Sequence, residues 1–372
     1  MKTIQAIVEL AHGDHSGQPM AMATVVNVRG SAYRRPGARM FIAPDGKAVG
    51  TISGGCLESD VRERAAAVMA SGKPNVVTYD STAPDDIVFG LGLGCNGVVQ
   101  ILIEPLATHN TDGLIAFFAA CVARRQPGRI ATVFRSELIP PGSRLMRWPD
   151  GSVTSNFLDP ALTEALLACF DETANRRTAI RSLELPDGRD AGVLIETISP
   201  PTPLVIFGAG DDAVPLATLA KSIGWHVTVI DARPAFPTVA RFPMADAVHC
   251  LETSLLESHP DVAFPPTTLA MIMTHSFVRD RELLRFLLAR PLPYVGILGP
   301  KKRTRHLLDD LGFAHPPDGL HGPAGLDIGA ETPEEIAISI LSQMQAILAR
   351  RGGGALQDRD GPIHDPVDQP LP

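Results

Sequence analysis

The chain has 372 residues, which leaves room for two or three domains. Its formal net charge is −8, which argues against nucleic acid as the main partner because binding to a phosphate backbone needs a basic face. The five cysteines are widely scattered with no CxxC pair, and this supports neither a disulfide framework nor a structural zinc site.

The first residues, MKTIQAIVELAHGDHSG, predict a short amphipathic helix over residues 3–12. Gln5 and Glu9 interrupt its apolar stripe, so the segment lacks the continuous apolar core of a signal peptide. Elsewhere no stretch approaches the roughly 20 apolar residues of a membrane span. We therefore expect a reduced, cytoplasmic protein with no membrane contact.

The segment over residues 1–105 is predicted to form an N-terminal α+β domain. Runs of β-branched and apolar residues favour strands, and periodic alanine-rich runs favour helices. Strands are predicted over residues 21–28, 38–42, 76–79 and 97–103, and a helix over residues 57–70.

Residues 106–199 are predicted to form a smaller α+β segment packed on the first domain. Helices are predicted over residues 114–124 and 160–173, a strand over 130–134, and further strands up to Ile198. The sequence Pro-Pro-Thr-Pro then marks a linker, because proline removes hydrogen-bond donors and stiffens the chain.

Residues 200–350 alternate between strand and helix patterns, which predicts βαβ units and a parallel sheet. The strands are predicted over residues 204–207, 227–230, 247–249, 269–273 and 294–297. The last segment, residues 351–372, is rich in glycine, proline and aspartate and is predicted to be a disordered tail.

The strongest candidate site of the first domain is the segment over residues 50–61, GTISGGCLESDV. A glycine loop before a helix can turn several backbone N–H groups toward an anion. Cys56 would lie near the helix N-terminus, where the helix dipole favours a thiolate. Glu58 is either a helix-start carboxylate or a polar ligand. The alternative is a plain strand-to-helix turn with a buried cysteine.

Two other features of this domain suit an anionic ligand. Arg34, Arg35 and Arg39 flank a Pro-Gly turn, where guanidinium groups could bind phosphate, although a solvated basic turn is the alternative. The second glycine-rich run, GLGLGCNG over residues 90–97, carries Cys95 and is a candidate for the same cleft. The remaining cysteines lie in apolar segments and are predicted to be core residues: Cys121, Cys169 and Cys250.

The segment over residues 204–215, LVIFGAGDDAVP, predicts a Rossmann-like domain. An apolar strand runs into Gly208 and Gly210, and Ala213 is the third small residue, which lets helix and strand pack closely. The following strand ends at Asp231, where a carboxylate can accept a hydrogen bond from a ribose hydroxyl.

The ligand of this Rossmann-like domain stays open. Asp211 and Asp212 place negative charge where a pyrophosphate would rest, so NAD(P), another ligand and a degenerate site are alternatives. His275 follows the strand LAMIMT and is either a ligand or proton carrier, or a cap that fills space. The run GPKKRTR, which includes Lys301, could meet an anion at a strand end or simply begin an exposed helix.

Several long strings strongly resemble the XdhC/CoxF (CoxI) family. GSAYRRPGARMFIAPDGKAVGTISGGCLESDV and GLGLGCNGVVQILIEPL resemble its N-terminal domain. Three further strings resemble its Rossmann-like C-terminal domain: VIFGAGDDAVPLATLAKSIGWHVTVIDARP, YVGILGPKKRTRHLLDDLG and GPAGLDIGAETPEEIAISILSQM. The resemblance covers most of residues 1–350, and SGGCLE and GLDIGAETPEEIAISI are specific to this family. It implies an α/β protein in which an N-terminal α+β XdhC/CoxI-like domain precedes a Rossmann-like doubly wound parallel sheet.

The resemblance implies an accessory factor for molybdenum hydroxylases such as xanthine dehydrogenase. Such a factor binds molybdenum cofactor, as molybdopterin or its nucleotide form, and supports its sulfuration with a cysteine desulfurase. It then hands the cofactor to the apo molybdenum hydroxylase, so no catalytic residue is predicted and the protein is not expected to be a dehydrogenase itself. The alternative is an NAD(P)-dependent oxidoreductase using the Rossmann-like domain. A homodimer is compatible with either function.

The resemblance also carries individual residues. Gly54, Gly55, Cys56 and Glu58 match the family's SGGC-x-E motif, with Cys56 as a candidate molybdenum contact. His275 matches a Thr-His motif of the family, whereas Ser276 stands where many members have an acidic residue. The predicted cofactor-binding residues are Arg35, Arg39, Ser53, Gly54, Gly55, Cys56, Glu58, Cys95, Gly208, Gly210, Asp231, His275 and Lys301.

Overall fold

The structure is a computed structural model that describes residues 2–13, 18–81, 97–106, 113–173, 178–185, 187–361 and 363. These residues divide into two units, one up to Pro200 and one over Pro201–Ile363. The first unit contains two antiparallel sheets and the second contains a six-stranded parallel sheet, so the predicted fold class is confirmed. In the part of the chain that the structure describes, no helix is long and apolar enough to cross a membrane.

The first half of the N-terminal unit, which we call repeat 1, forms one five-stranded sheet in the order β3-β2-β1-β5-β4. Helix α2 packs on this sheet through Val61, Ala65 and Val68, whose spacing places them on one face of the helix. It ends at Gly72, which has the left-handed conformation typical of a helix C-terminus. The elements are α1 (Lys2–Ala11), β1 (Met20–Gly30), β2 (Arg39–Ile42), β3 (Ala48–Gly50), α2 (Glu58–Ser71), β4 (Asn75–Asp80) and β5 (Gly97–Leu106).

The second half, repeat 2, has the same elements in the same order and forms a sheet of the same topology, β8-β7-β6-β10-β9. Asp159 is the N-cap of its second helix, and the Asp159 side chain accepts a hydrogen bond from the amide of Leu162 at 3.0 Å. The elements are α3 (Leu114–Ala123), β6 (Gly128–Ser136), β7 (Arg144–Arg147), β8 (Val153–Ser155), α4 (Pro160–Glu172), β9 (Thr178–Glu184) and β10 (Asp190–Ile198). The N-terminal unit is therefore an internal structural duplication.

A short sequence pattern accompanies this duplication. The motif Pro-Gly-x-Arg, followed by Pro-Asp-Gly, occurs at residues 36–46 and again at residues 141–151 with the same internal spacing. In each copy the arginine begins the second strand, opposite Thr24 for Arg39 and opposite Thr132 for Arg144. The sequence analysis did not find this repeat, although the motif was its visible signal.

Two reciprocal ion pairs join the repeats. Arg39 of repeat 1 binds Glu196 of repeat 2 through both guanidinium nitrogens, and Arg144 of repeat 2 binds Glu104 of repeat 1. All four side chains are almost fully buried. Because the two glutamates also occupy equivalent register positions, the contact has the self-complementary form of a two-fold interface.

A small apolar core between the two sheets repeats this symmetry. The first strand of each sheet has a β-bulge at the equivalent position, and the extra residue of each bulge, Val26 and Phe134, faces this core. The core consists of three pairs of equivalent residues: Val26 with Phe134, Val76 with Ile180, and Leu102 with Leu194.

The C-terminal unit has parallel strands in the order β13-β12-β11-β14-β15-β16. The chain starts in the middle of the sheet and reverses its direction of winding between β11 and β14, which creates a topological switch point. The elements are β11 (Pro203–Phe207), α5 (Ala213–Ser222), β12 (His226–Asp231), β13 (Ala247–Cys250), β14 (Leu269–Ile272), α6 (Phe277–Leu288), β15 (Tyr294–Ile297), α7 (Lys301–Asp310), β16 (Leu320–His321) and α8 (Pro333–Leu348).

Helices cover both faces of this sheet, as its almost wholly apolar central strands require. In β11, Leu204 and Ile206 pack with α5 and α8, whereas Val205 and Phe207 pack with α6. Cys121 and Cys169 are buried as predicted, but the prediction of a buried Cys250 is wrong. Cys250 ends the edge strand β13, where its side chain is exposed.

The segment after residue 350 is mostly exposed where it is described, and it contains one short 3-10 helix, Leu356–Asp358. Residues 364–372 lie outside the described residues. The disordered tail therefore stays a prediction.

Candidate functional site

The loops that carry the sequence motifs of repeat 1 all leave its sheet at the same end. Strands β1, β3 and β4 end there, and strands β2 and β5 begin there, because their neighbours in the sheet are antiparallel. The arginine turn, the SGGC segment and the second glycine-cysteine run therefore start from one edge. These loops comprise residues 31–38, 51–57 and 81–96.

Two of these loops are in contact. A Cβ atom added to Gly54 would lie 3.5 Å from the ring of Tyr33, which is 70% exposed. Tyr33 belongs to the arginine turn and Gly54 to the SGGC segment, so an exposed aromatic ring lies beside the glycine backbone. The sequence analysis did not single out Tyr33.

The third loop contains Cys95, which lies outside the described residues, and its role stays a prediction. The ends of this loop are nevertheless joined. The hydroxyl of Ser81 donates to the carbonyl of Gly97 at 2.8 Å, and the amide of Gly97 donates back to Ser81 Oγ at 3.1 Å.

The carboxylate of Glu58 organises the SGGC segment. It accepts hydrogen bonds from the amides of Ile52 at 3.3 Å, Ser53 at 2.9 Å and Gly55 at 3.0 Å, and from the Ser53 hydroxyl. Partial burial acts to raise the pKa of Glu58, but the hydrogen bonds from Ser53 and its neighbours outweigh burial and hold this pKa below its ordinary value. The carboxylate of Glu58 is therefore an anion of the protein itself that is bound by the amides of this loop.

This arrangement changes the predicted anion cradle. The amides of residues 52, 53 and 55 already serve Glu58, and the amide of Leu57 donates to Ser53 Oγ at 3.0 Å. Among the described residues, the amides of Gly54 and Cys56 donate no hydrogen bond, and both residues are exposed. These two amides, one of them that of Cys56 itself, are therefore open to an outside acceptor.

Cys56 is a free, exposed cysteine two residues before the first residue of α2. The alternative of a plain turn with a buried cysteine is therefore wrong. The acidic residues Glu58 and Asp60 occupy the first turn of the helix, where carboxylates interact favourably with the helix dipole.

The structure corrects the prediction for Arg39. Its guanidinium is buried, donates to the carbonyl of Gly37 at 2.9 Å, binds Glu196 and lies 5.1 Å from the ring centroid of Phe118. Arg39 thus joins the two repeats, because the anion that it binds is a carboxylate of the opposite sheet. Arg35, by contrast, is exposed on the turn.

In the C-terminal unit, the predicted glycine turn follows β11 and lies at the switch point. Gly208 has a φ of +110°, and a Cβ atom there would overlap the carbonyl oxygen of Met273. Glycine thus lets the loop after β11 approach the loop after β14. Gly210 follows in the same turn, and α5 begins at Ala213.

Asp231 lies at the end of β12 and is buried. Its carboxylate accepts from the amide of Ala209 at 2.8 Å and the amide of Arg233 at 2.9 Å, and it binds the Arg233 guanidinium at 2.6 Å. Burial acts to raise the pKa of Asp231, but the hydrogen bonds from Arg233 and Ala209 lower it overall. A ribose hydroxyl would have to compete with Arg233 for this carboxylate.

The other two acidic residues of the turn are also paired with basic side chains. Asp211 binds Arg241 at 2.8 Å, and Asp212 Oδ2 lies 2.8 Å from His275 Nε2. His275 has a φ of +57° and an exposed side chain, so it reaches from the loop after β14 across to the loop after β11. The negative charge expected at this turn therefore has partners within the protein.

Lys301 is exposed at the start of α7, directly after the carboxyl end of β15. The neighbouring Arg303 binds the buried carboxylate of Asp280 at 2.7 Å. One cation of the basic run is therefore structural, whereas Lys301 remains exposed as a cofactor-binding residue would need to be. No group of three or more histidine, cysteine or acidic side chains in the described ranges could hold a metal ion.

Comparison with known proteins identifies the family. Residues 14–80 match the XdhC and CoxI family, and residues 204–344 match the XdhC Rossmann domain. The chain is 32% identical over 325 residues to a protein of Bacillus subtilis (strain 168) described as a probable subunit of xanthine dehydrogenase, covering 87% of this chain and 91% of that protein. This chain belongs to the XdhC and CoxI family.

Two further relatives bear on this XdhC/CoxI-family protein. The molybdenum cofactor insertion chaperone PaoD of Escherichia coli (strain K12) is 23% identical over 337 residues, which cover 89% of this chain and 84% of PaoD. A crystal structure described as a xanthine dehydrogenase from Bacillus halodurans superposes with a TM-score of 0.77 at 32% identity, covering 96% of this chain and 98% of that chain.

The sequence analysis did not predict which side chains pair with the charged residues of this XdhC/CoxI-family chain. Arg233 stands two residues after Asp231 in the string DARP, and this short spacing was the available signal. Arg241 and Glu196 carried no local signal, because each meets its partner only through the tertiary fold.

Proposed function

We propose that this protein binds molybdenum cofactor, as molybdopterin or its nucleotide form, and delivers it to an apo molybdenum hydroxylase such as xanthine dehydrogenase. The observation that carries the proposal is the exposed Cys56 beside two open amides and the ring of Tyr33 at one sheet end. The relation to a molybdenum cofactor insertion chaperone supports it.

The donor set at this sheet end suits such a group. A thiolate is a soft ligand suited to a transition metal, and open amides bind anionic oxygen. Because Glu58 satisfies the inward-facing amides, the loop can hold Cys56 at the surface without a bound ligand. When bound, the cofactor would supply a redox-active molybdenum centre for use in the target enzyme.

The exposure of Cys56 also suits transfer. A cofactor held at the surface is accessible both to an apo-enzyme and to a cysteine desulfurase that supplies sulfur, and we propose both as partners. A free, exposed thiol persists in a reducing compartment, which is consistent with a cytoplasmic protein. A homodimer is compatible with the same arrangement.

The geometry does not favour an NAD(P)-dependent oxidoreductase. Both oxygens of Asp231 are engaged by Arg233, and His275 is paired with Asp212. A dinucleotide would have to displace the first contact to bind its ribose, and the second contact leaves Nδ1 as the ring nitrogen of His275 that could carry a proton to or from a substrate.

The test is to purify the protein from cells that make molybdopterin, oxidise the sample and measure the fluorescent pterin per chain. We expect bound pterin in the wild type and a clear loss in Cys56→Ala. Cys250→Ala is the matched control, since Cys250 is also a free, exposed cysteine but lies in the other unit.

Two results would count against the proposal. Equal fluorescence in protein from a molybdopterin-deficient host would show that the signal is not molybdopterin. Equal pterin in Cys56→Ala and the wild type would remove Cys56 from the site.

A further inference from the structure

A cleft of about 570 Å³ lies between the two sheets of the N-terminal unit. Strands β1, β4 and β5 of repeat 1 form one wall, and strands β6, β9 and β10 of repeat 2 form the other. Its volume is within the range of roughly 300–1,000 Å³ that is usual for small-molecule sites. Its lining contains none of the predicted cofactor-binding residues that the structure describes.

The cleft continues the internal duplication beyond the apolar core. On the repeat 1 wall, the next row of inward-facing residues along the strands is Asn27, Gln100 and Thr78. The equivalent row on the repeat 2 wall is Arg135, Gly192 and Ser182. Phe134 and Ile180, which belong to the apolar core, also line the cleft.

The two walls have different chemistry despite their equivalent backbones. In the repeat 1 row, Asn27 Nδ2 donates to Gln100 Oε1 at 3.0 Å, and Gln100 Nε2 donates to Thr78 Oγ1 at 3.3 Å. In the repeat 2 row, Gly192 has no side chain, so Arg135 extends across it and donates to Ser182 Oγ at 3.0 Å. One wall is therefore a row of neutral amide and hydroxyl groups, whereas the other carries a guanidinium paired with the carboxylate of Asp190.

The mouth of the cleft carries a further cation. Arg29 lines the cleft and is exposed, and within the described ranges its guanidinium has no ion pair or hydrogen bond. Arg135, in contrast, is paired with Asp190 at 2.8 Å. The carboxylates of Asp80 and Asp190 also line the cleft, but Arg29 is a guanidinium of the lining that has no carboxylate partner for an incoming anion to displace.

We propose that this cleft binds a phosphorylated heterocycle, with the ring between the amide row and Phe134 and the phosphate at Arg29. An amide row offers both donors and acceptors, as the edge of a nitrogen heterocycle requires. Arg29 directly precedes Gly30, where the loop with Tyr33 leaves the sheet. The inference rests on the proposed function, because it assigns the organic, anionic part of the same cofactor to the cleft.

The first test compares pterin retained per chain in the wild type, Arg29→Glu, Arg29→Lys and Arg124→Glu. We expect Arg29→Glu to reduce retained pterin by about tenfold or more, since a hydrogen bond to a charged group is lost and a repulsion is added. Arg29→Lys should retain more pterin than Arg29→Glu, because the positive charge is kept.

Arg124→Glu is the matched control. Like Arg29, Arg124 is an exposed arginine of the N-terminal unit, but it does not line the cleft and is instead paired with Asp150 at 2.8 Å. It should leave retained pterin unchanged. Thermal melting of each variant checks that the fold is intact.

The second test titrates the pterin-free protein with cytidine monophosphate, a phosphorylated heterocycle that needs no molybdenum. We expect saturable binding that Arg29→Glu weakens and Arg124→Glu leaves unchanged. If the wild type retains pterin and Arg29→Glu retains as much, the cleft inference is overturned while the proposed function stands. If the wild type retains no pterin, the proposed function fails, and the titration decides separately whether the cleft binds such a ligand.

Discussion

Repeat 1 and repeat 2 share one backbone arrangement but differ in two of the connections at the sheet end that carries the motifs. Before its second helix, repeat 1 has the SGGC segment, whereas repeat 2 has the residues NFLD. Between its last two strands, repeat 1 has residues 81–96, whereas repeat 2 has only residues 185–189. The scaffold is thus held in common, and the cysteine site that we propose lies in the loops of one copy.

The two copies differ in the position of the carboxylate at the start of the second helix and in the amides that it binds. The first amides of a helix need acceptors, and in repeat 2 Asp159 serves Leu162 from the position before the helix. In repeat 1, Glu58 lies inside the first turn and accepts from loop amides behind it. In repeat 1, Cys56 is left exposed just before the helix, whereas Leu57 packs into the core.

The largest expected effect comes from breaking a reciprocal ion pair. Glu196→Ala should lower the free energy of unfolding by about 3–5 kcal/mol, because it leaves the buried Arg39 without a counter-charge. Glu104→Ala should cost a similar amount through Arg144, if the two pairs are equivalent. Denaturant unfolding measures both, and an effect of one pair alone would contradict the two-fold relation.

A double substitution sharpens this prediction. Arg39→Met combined with Glu196→Leu removes both charges, so it should recover much of the stability that Glu196→Ala loses. Stability as low as in the single variant would show that packing, and not the unpaired charge, causes the loss.

The glycines of the two motifs should differ in their tolerance of a side chain. Gly37 and Gly142 have φ values of +90° and +87°, so alanine is strained at both positions. A Cβ atom on Gly37 would lie 2.5 Å from Glu196 Oε1, whereas one on Gly142 would lie 3.2 Å from Glu104 Oε2. We expect Gly37→Ala to lower the melting temperature more than Gly142→Ala, and the reverse order would contradict the described geometry.

Glu58→Gln should lower stability at neutral pH by about 1 kcal/mol, because a neutral amide accepts the loop hydrogen bonds less strongly. The folded-state pKa of Glu58 is below its ordinary value of 4.5, so its ionised form contributes stability above that pH. This contribution is lost as the pH falls through the folded-state pKa. Melting curves of both proteins should therefore converge in acid, and a difference that is constant with pH would contradict this role.

The smallest expected effect is that of Cys56→Ala on stability. Cys56 is exposed and accepts no hydrogen bond from the described part of its loop, so its removal should change the free energy of unfolding by less than about 0.5 kcal/mol. Thermal melting checks this, and Asp159→Ala in repeat 2 should cost more because it removes a helix cap. A large loss in Cys56→Ala would indicate a structural thiol.

Local sequence patterns predicted much of the secondary structure. The strand at residues 204–207, the turn at Gly208 and the helix from residue 213 follow from apolar runs and small residues, whose preferences act over a few positions. The same patterns placed Cys56 just before a helix, and the structure does so too. These features depend on residues that are neighbours in the chain, so they could be predicted from the sequence.

The partners of the charged residues could only be decided by the tertiary structure. Arg39 looked like a phosphate ligand beside a glycine loop, but it is buried against Glu196, a residue far along the chain. Asp231 was predicted to accept from a ribose, but Arg233 and Ala209 engage it. The meaning of the repeated Pro-Gly-x-Arg motif likewise required the sheet order. A sequence pattern carries the preference of a residue, whereas which charge neutralises which depends on how distant strands meet.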